Sequence, residues 1–152
     1  MKKAPIVMTL MASVVLGACQ QASHDAHAID HDVDTCEICN MAINNRQAAT
    51  QIVMEDGSAV KFDDIGCMMQ YKEENKEEAD NFHTEYINSY DEQEWADAAD
   101  STFVYDEDIN TPMGNGVISF SSLEEAETFI EEEGDGELLE YENLAEHDWD
   151  SY

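Results

Sequence analysis

"VKFDDIGCMMQY", Val60 to Tyr71, and "ISFSSLEEAETF", Ile118 to Phe129, carry one pattern twice. They align without a gap at an offset of 58, so that Phe62 matches Phe120, Ile65 matches Leu123 and Tyr71 matches Phe129. Each copy begins as a strand and continues as a helix. Asp63 is the expected N-cap of the first helix, and Ser122 with Glu125 forms a capping box for the second. Leu123, Ala126, Phe129 and Ile130 then fall on one apolar helical face. Upstream, "AATQIVM" leads through "EDGS" into "AVKF", with Asp56-Gly57 as a hairpin signal, and "STFVY" leads through the longer "DEDINTPMGNG" into "VISF". Downstream, "FHTEYIN" and "ELLEYEN" supply one more strand each, and Gly134 and Gly136 stop the second helix. The chain therefore reads strand, strand, helix, strand, twice over. The fold class is α+β: two small homologous ββαβ units, about 48–88 and 101–144, packed together because either alone is marginal. Ser89 to Asp100 reads as a connector with a helical turn around Trp95.

The 152 residues suffice for one such domain and little more. Residues 1–18 start with Lys2 and Lys3 and continue into the apolar run Ile6 to Ala18, too short to span a bilayer comfortably. They read as a secretory signal. It ends in "LGAC", Leu16 to Cys19, the form of a lipoprotein cleavage site, which predicts acyl chains on Cys19 and a domain tethered to the membrane outside the cytoplasm. Residues 19–34, rich in His and Asp, lack apolar periodicity and read as a disordered tether, and 145–152 as a loose acidic tail. His24, His27 and His31 in the tether form a solvated tract with at most weak metal affinity. The folded part runs from about 35 to 144.

Net charge is −30; loss of Lys2 and Lys3 with the signal leaves four basic and 36 acidic residues, a charge of −32. Such a surface excludes nucleic-acid binding, which needs cations against phosphate. The acids are spread along the chain rather than blocked, as in a self-repelling surface suited to high salt. With 43% hydrophobic residues the chain is not a disordered polyacid. No Ser-His-Asp order, phosphate-cradling loop or H-E-x-x-H signature is present.

The chemistry concentrates in sulfur. Beyond Cys19 there are three thiols, Cys36, Cys39 and Cys67, an odd number that disulfides cannot fully pair. Cys36 and Cys39 in "DTCEICNM" could be a redox couple, but they sit at the edge of the domain after a polar segment, without the strand-to-helix setting such couples use. Three cysteines and a histidine could hold structural zinc. Met41 shifts the balance, because a thioether is a poor zinc ligand and a good one for soft cuprous copper. Alignment of the two copies puts Cys67 opposite Glu125, which predicts an exposed, available thiol, and Met68 opposite Ala126, which predicts a core side chain. Met113, between Pro112 and Gly114 in a loop with little core to fill, is a further candidate soft ligand.

"CEICNMAI", "AVKFDDIGCMMQY" and "TPMGNGVISFSSLEEAETF", in this order, resemble the NosL family of lipoprotein copper chaperones in nitrous oxide reductase maturation. The resemblance covers Cys36 to Leu144. It implies paired ββαβ units and binding and delivery of Cu(I) rather than catalysis. It also implies copper ligands drawn from the C-x-x-C-x-M of Cys36, Cys39 and Met41 and from Met113, with Cys67 added by the repeat. The partners it implies are nitrous oxide reductase, as the copper-accepting enzyme, and the machinery that matures it. Asn40 departs from the glycine usual in the motif. A thiol-disulfide redox protein using Cys36 and Cys39, and a zinc-binding lipoprotein, are the alternatives from other classes.

Overall fold

The computed structural model describes residues 22–149. Its first sheet has the order β2-β1-β3-β4, with β1 Thr50–Met54, β2 Ala59–Phe62, β3 Phe82–Asn88 and β4 Trp95–Asp97. The second has the order β6-β5-β7, with β5 Thr102–Tyr105, β6 Val117–Phe120 and β7 Glu137–Glu140. All pairings are antiparallel. Helix α1, Ile65–Glu74, follows β2, and α2, Leu123–Glu133, follows β6. The internal symmetry extends to register. Thr50 faces Phe62 and Ile87 in the first sheet, and Thr102 faces Phe120 and Glu140 in the second.

The β1–β2 hairpin is tight because Gly57, at φ +83°, takes the left-handed turn position. The β5–β6 connection is longer and carries Met113. Gly116 ends it at φ +67°, where an added Cβ would meet the Asp106 carbonyl oxygen at 2.2 Å. Helix α2 stops at Gly134 in the left-handed conformation. Phe62, Ile52, Ile87, Met68 and Cys67 from the first unit bury together with Phe103, Val117, Leu139 and Leu144 from the second, so one core joins the two copies. A smaller core of Val104, Ile118, Phe120 and Ala126 lies under α2. No helix among the described residues is long and apolar enough to cross a membrane.

Several expectations change. The N-cap of α1 is Asp64, whose carboxylate accepts from the Gly66 N–H, and not Asp63. Ser122 caps α2 through the Glu125 N–H, but the Glu125 carboxylate takes the Ser121 hydroxyl instead of closing the box. Leu123 is 52% exposed whereas its counterpart Ile65 is buried, because Ile65 packs with Cys36 and Ile43 of the N-terminal segment. Trp95 lies in β4, not in a helical turn; Tyr86 to Asn88 pair with Asp97 to Trp95 and extend the first sheet.

Residues 22–34 lie along the first sheet instead of hanging free. His27 exchanges hydrogen bonds with the buried Gln51 amide at 2.8 and 2.9 Å, and its ring meets the Gly57 carbonyl at 3.1 Å. His24 meets the Glu55 carbonyl and stacks on His83, and His31 meets the Ile43 carbonyl at 2.6 Å. The tail is tied down as well: the Trp149 indole donates to the Leu144 carbonyl, and His147 sits edge-on between Tyr105 and Trp149. Cys19, and the end of the tail beyond 149, lie outside the described residues.

Candidate metal centre

The C-x-x-C segment folds into a closed loop. Thr35 bridges Ala42, the Cys36 N–H donates to the Met41 carbonyl at 2.8 Å, and the Asn40 N–H returns to the Cys36 carbonyl at 3.0 Å. Closing so short a loop requires a left-handed residue, and Asn40 takes it at φ 59°. Asparagine enters that region more readily than other side-chain-bearing residues, so the departure from glycine preserves the turn. The Glu37 N–H donates to the Lys61 carbonyl, and Lys61 pairs with Asp34 at 2.6 Å; together they dock the loop on β2.

Docked there, the loop lies over the first turn of α1. Cys36, Cys39, Cys67 and Asp63 each present a donor atom within 4.8 Å of the others. Cys67 is 2% exposed, contrary to the expectation from Glu125. The second unit has no segment like the C-x-x-C loop, so alignment between copies shows the helix slot but not its cover. Met68 is fully buried, as expected. The sequence reading, which assigns Asp63 to the N-cap, does not place it in the site. The signal was available: Ser122 aligns with Asp64, which leaves Asp63 free.

The thiols share protons unevenly. The Cys67 thiol donates to Cys36, and the N–H groups of Cys39 and Asp63 add to it; against burial, they pull the Cys36 thiol down to about 6. Donation to Cys36 and burial push Cys67 up strongly. Burial first, and then neighbouring Cys36 and Asp63, push Cys39 up to about 11. Its Sγ lies 3.4 and 3.5 Å from the Asp63 carboxylate oxygens. At neutral pH the cluster thus holds one thiolate and two thiols.

The methionines stand at the openings. Met41, 42% exposed, borders a cavity of about 460 Å³ together with Asp63 and residues 110–112. Met113, also 42% exposed, borders a larger groove of about 1050 Å³ with Cys67, Met69 and Trp149. The structure therefore brings together three of the five expected ligands and adds Asp63. Met41 shares its cavity with Asp63, and Met113 shares its groove with Cys67. Three soft sulfur donors and one hard carboxylate, with Cys39 half-buried and the others buried, form a group that could hold a metal ion.

Paired ββαβ units around an N-terminal thiol loop define a small α+β protein with a cluster of three thiols and a carboxylate that could hold a metal ion. The NosL family model matches residues 27–149, and the chain belongs to the NosL family. A comparison with curated proteins gives no match. Among solved structures, that of the copper chaperone NosL from Shewanella denitrificans is similar, with a TM-score of 0.67 and 21% identity over 79% of this chain and 95% of that one. That likeness independently supports the fold.

Proposed function

We propose that this chain is a Cu(I) chaperone, held to the extracytoplasmic face of the membrane by lipid on Cys19, that passes copper to a maturing copper enzyme, nitrous oxide reductase. The observation that carries the copper reading is the convergence of three thiols from two chain segments within 4.8 Å, in a member of the NosL family whose Shewanella denitrificans relative is a copper chaperone. Cys36, Cys39 and Cys67 supply the thiolates, and Met41 and Met113 supply thioethers at the two openings, where an incoming ligand can exchange with them. A buried cluster with soft groups at its rim allows stepwise transfer, in which an acceptor sulfur replaces a rim ligand before the thiolates let go.

Anaerobic competition against a chromogenic Cu(I) chelator tests this: one equivalent binds per chain, and Cys36→Ser and Met41→Leu weaken it. Equal binding by both variants refutes the motif. Fatty-acid labelling that survives Cys19→Ser refutes the anchor, and transfer of bound copper to apo nitrous oxide reductase tests the acceptor. Asp63 favours a second reading, since three cysteines and a carboxylate also make a tetrahedral zinc set. Metal analysis of anaerobically isolated protein separates the two.

A further inference from the structure

Asp64 has more partners than a helix cap needs. Its counterpart Ser122 caps α2, its hydroxyl accepting from the Glu125 N–H. Asp64 is 1% exposed, and one carboxylate serves two elements from different units. Oδ1 accepts from the Gly66 N–H at 2.7 Å, which caps α1 three residues before Cys67. Oδ1 also accepts from the Asn115 amide, and Oδ2 accepts from the Met113 N–H at 3.2 Å. Asn115 in turn fixes its own loop: its Oδ1 accepts from the Thr111 hydroxyl at 3.2 Å and the Val117 N–H at 3.1 Å. Both Thr111 and Asn115 are buried. Within the loop the Gly114 N–H donates to the Thr111 carbonyl at 3.0 Å, so Met113 sits at the tip of a turn whose hydrogen bonds to α1 run through Asp64.

We infer that Asp64 is a positioning residue for the metal site: it locks the Met113 loop of the second unit to the helix that carries Cys67, and so holds the Met113 thioether at the mouth of the thiol cluster. The inference rests on the copper reading above. Groups that orient metal ligands without touching the metal commonly govern affinity by an order of magnitude or more. A carboxylate suits the task here because it accepts from three donors at once. Serine in its place would cap the helix, as Ser122 does, and release the loop.

The test is a double-mutant cycle on the full chain. Asp64→Asn keeps the cap oxygen and volume but turns a donor toward the Met113 N–H; Asp64→Ser copies the second unit and serves as an independent variant. Cu(I) affinity by chelator competition is measured for each substitution, alone and combined with Met113→Leu, alongside thermal melting of the metal-free protein. The expected result is that Met113→Leu and Asp64→Asn each weaken binding about tenfold, and that the combination is no weaker than Met113→Leu alone. X-ray absorption of the Asp64→Asn copper form should show the loss of one sulfur neighbour, as in Met113→Leu. A simple loss of stability would lower the melting temperature without producing this non-additivity. Additive losses, or full affinity in both Asp64 variants, overturn the inference. An unmodified protein that does not retain Cu(I) overturns the copper reading itself. Retained affinity in Met113→Leu overturns only the role of Met113 and with it that of Asp64.

Discussion

Loading the cluster with Cu(I) at pH 7 is expected to release about two protons, the number set by how the three sulfurs share hydrogen bonds. With its thiol pulled down to about 6, Cys36 is only about one-tenth protonated at neutral pH and gives up almost nothing when it ligates. Cys39, pushed up to about 11, and Cys67, pushed up more strongly, each enter as a thiol and leave one proton behind. Apparent affinity should therefore rise about 100-fold per pH unit around neutrality, tenfold for each proton displaced. The sign at low pH follows from the lowered group. As pH falls through about 6, Cys36 takes up a third proton that copper must displace, and the dependence steepens toward about 1000-fold per unit.

The release is read calorimetrically, from the binding heat in two buffers of different ionisation enthalpy, and the slope from chelator competition between pH 5 and 8, all without oxygen. Cys67→Ala, which leaves no donor at that position, removes the main support of the Cys36 thiolate, so the change of slope near pH 6 should vanish. Release of about three protons at pH 7 would mean that no thiolate preexists, and the proposed sharing would be wrong. Release of about one would reduce the site to two thiolate ligands.

Other expectations follow from single contacts. Asp63→Ala takes the hard oxygen donor out of the cluster and should weaken Zn(II) binding more than Cu(I) binding in parallel competition titrations; equal effects would remove Asp63 from the ligand set. Phe62→Ala and Phe120→Ala each empty a fully buried aromatic site, and each should lower unfolding free energy in urea by about 3–5 kcal/mol. Only Phe62 shares a core with Cys36 and Cys67, so only its loss should also weaken copper binding by the folded protein. Asn40→Ala forces an ordinary residue into the left-handed turn and should cost about 1–2 kcal/mol in the same assay, whereas Asn40→Gly should be close to neutral.

Where the chain repeats itself, the sequence reading and the structure agree closely. "FHTEYIN" and "VISF" become β3 and β6 over the same residues, and the stop at Gly134 is observed, because apolar alternation, caps and glycines act locally. Strand β4 was not legible: three residues carry no periodicity, and Trp95 to Asp97 become a strand only by pairing with β3. The tether misled for a different reason. His and Asp suggest a solvated linker, yet each histidine of the tract finds a backbone carbonyl of the first unit or its N-terminal loop. Burial of Cys67 depends on a third segment, about thirty residues upstream, that no comparison of the two copies could place.

The two units have kept one scaffold and divided its uses. In the first, α1 begins under the C-x-x-C loop, and its cap position carries a carboxylate that reaches another element. In the second, α2 begins in solvent with Leu123 exposed, and its cap is a serine with a local role. The second unit reaches α1 through its elongated hairpin loop, by the hydrogen bonds of Met113 and Asn115 to Asp64, which the short Glu55–Ser58 turn of the first cannot match in reach. Neither unit could assemble the site alone. The thiols come from the loop and from α1, Met113 of the far hairpin borders the same groove as Cys67, and the shared core of Phe62, Phe103, Val117 and Leu144 joins the two units. Copper binding should therefore stabilise both units together: unfolding of the loaded protein should remain a single transition shifted to higher denaturant, since a ligand that bridges two elements cannot be released by the melting of only one.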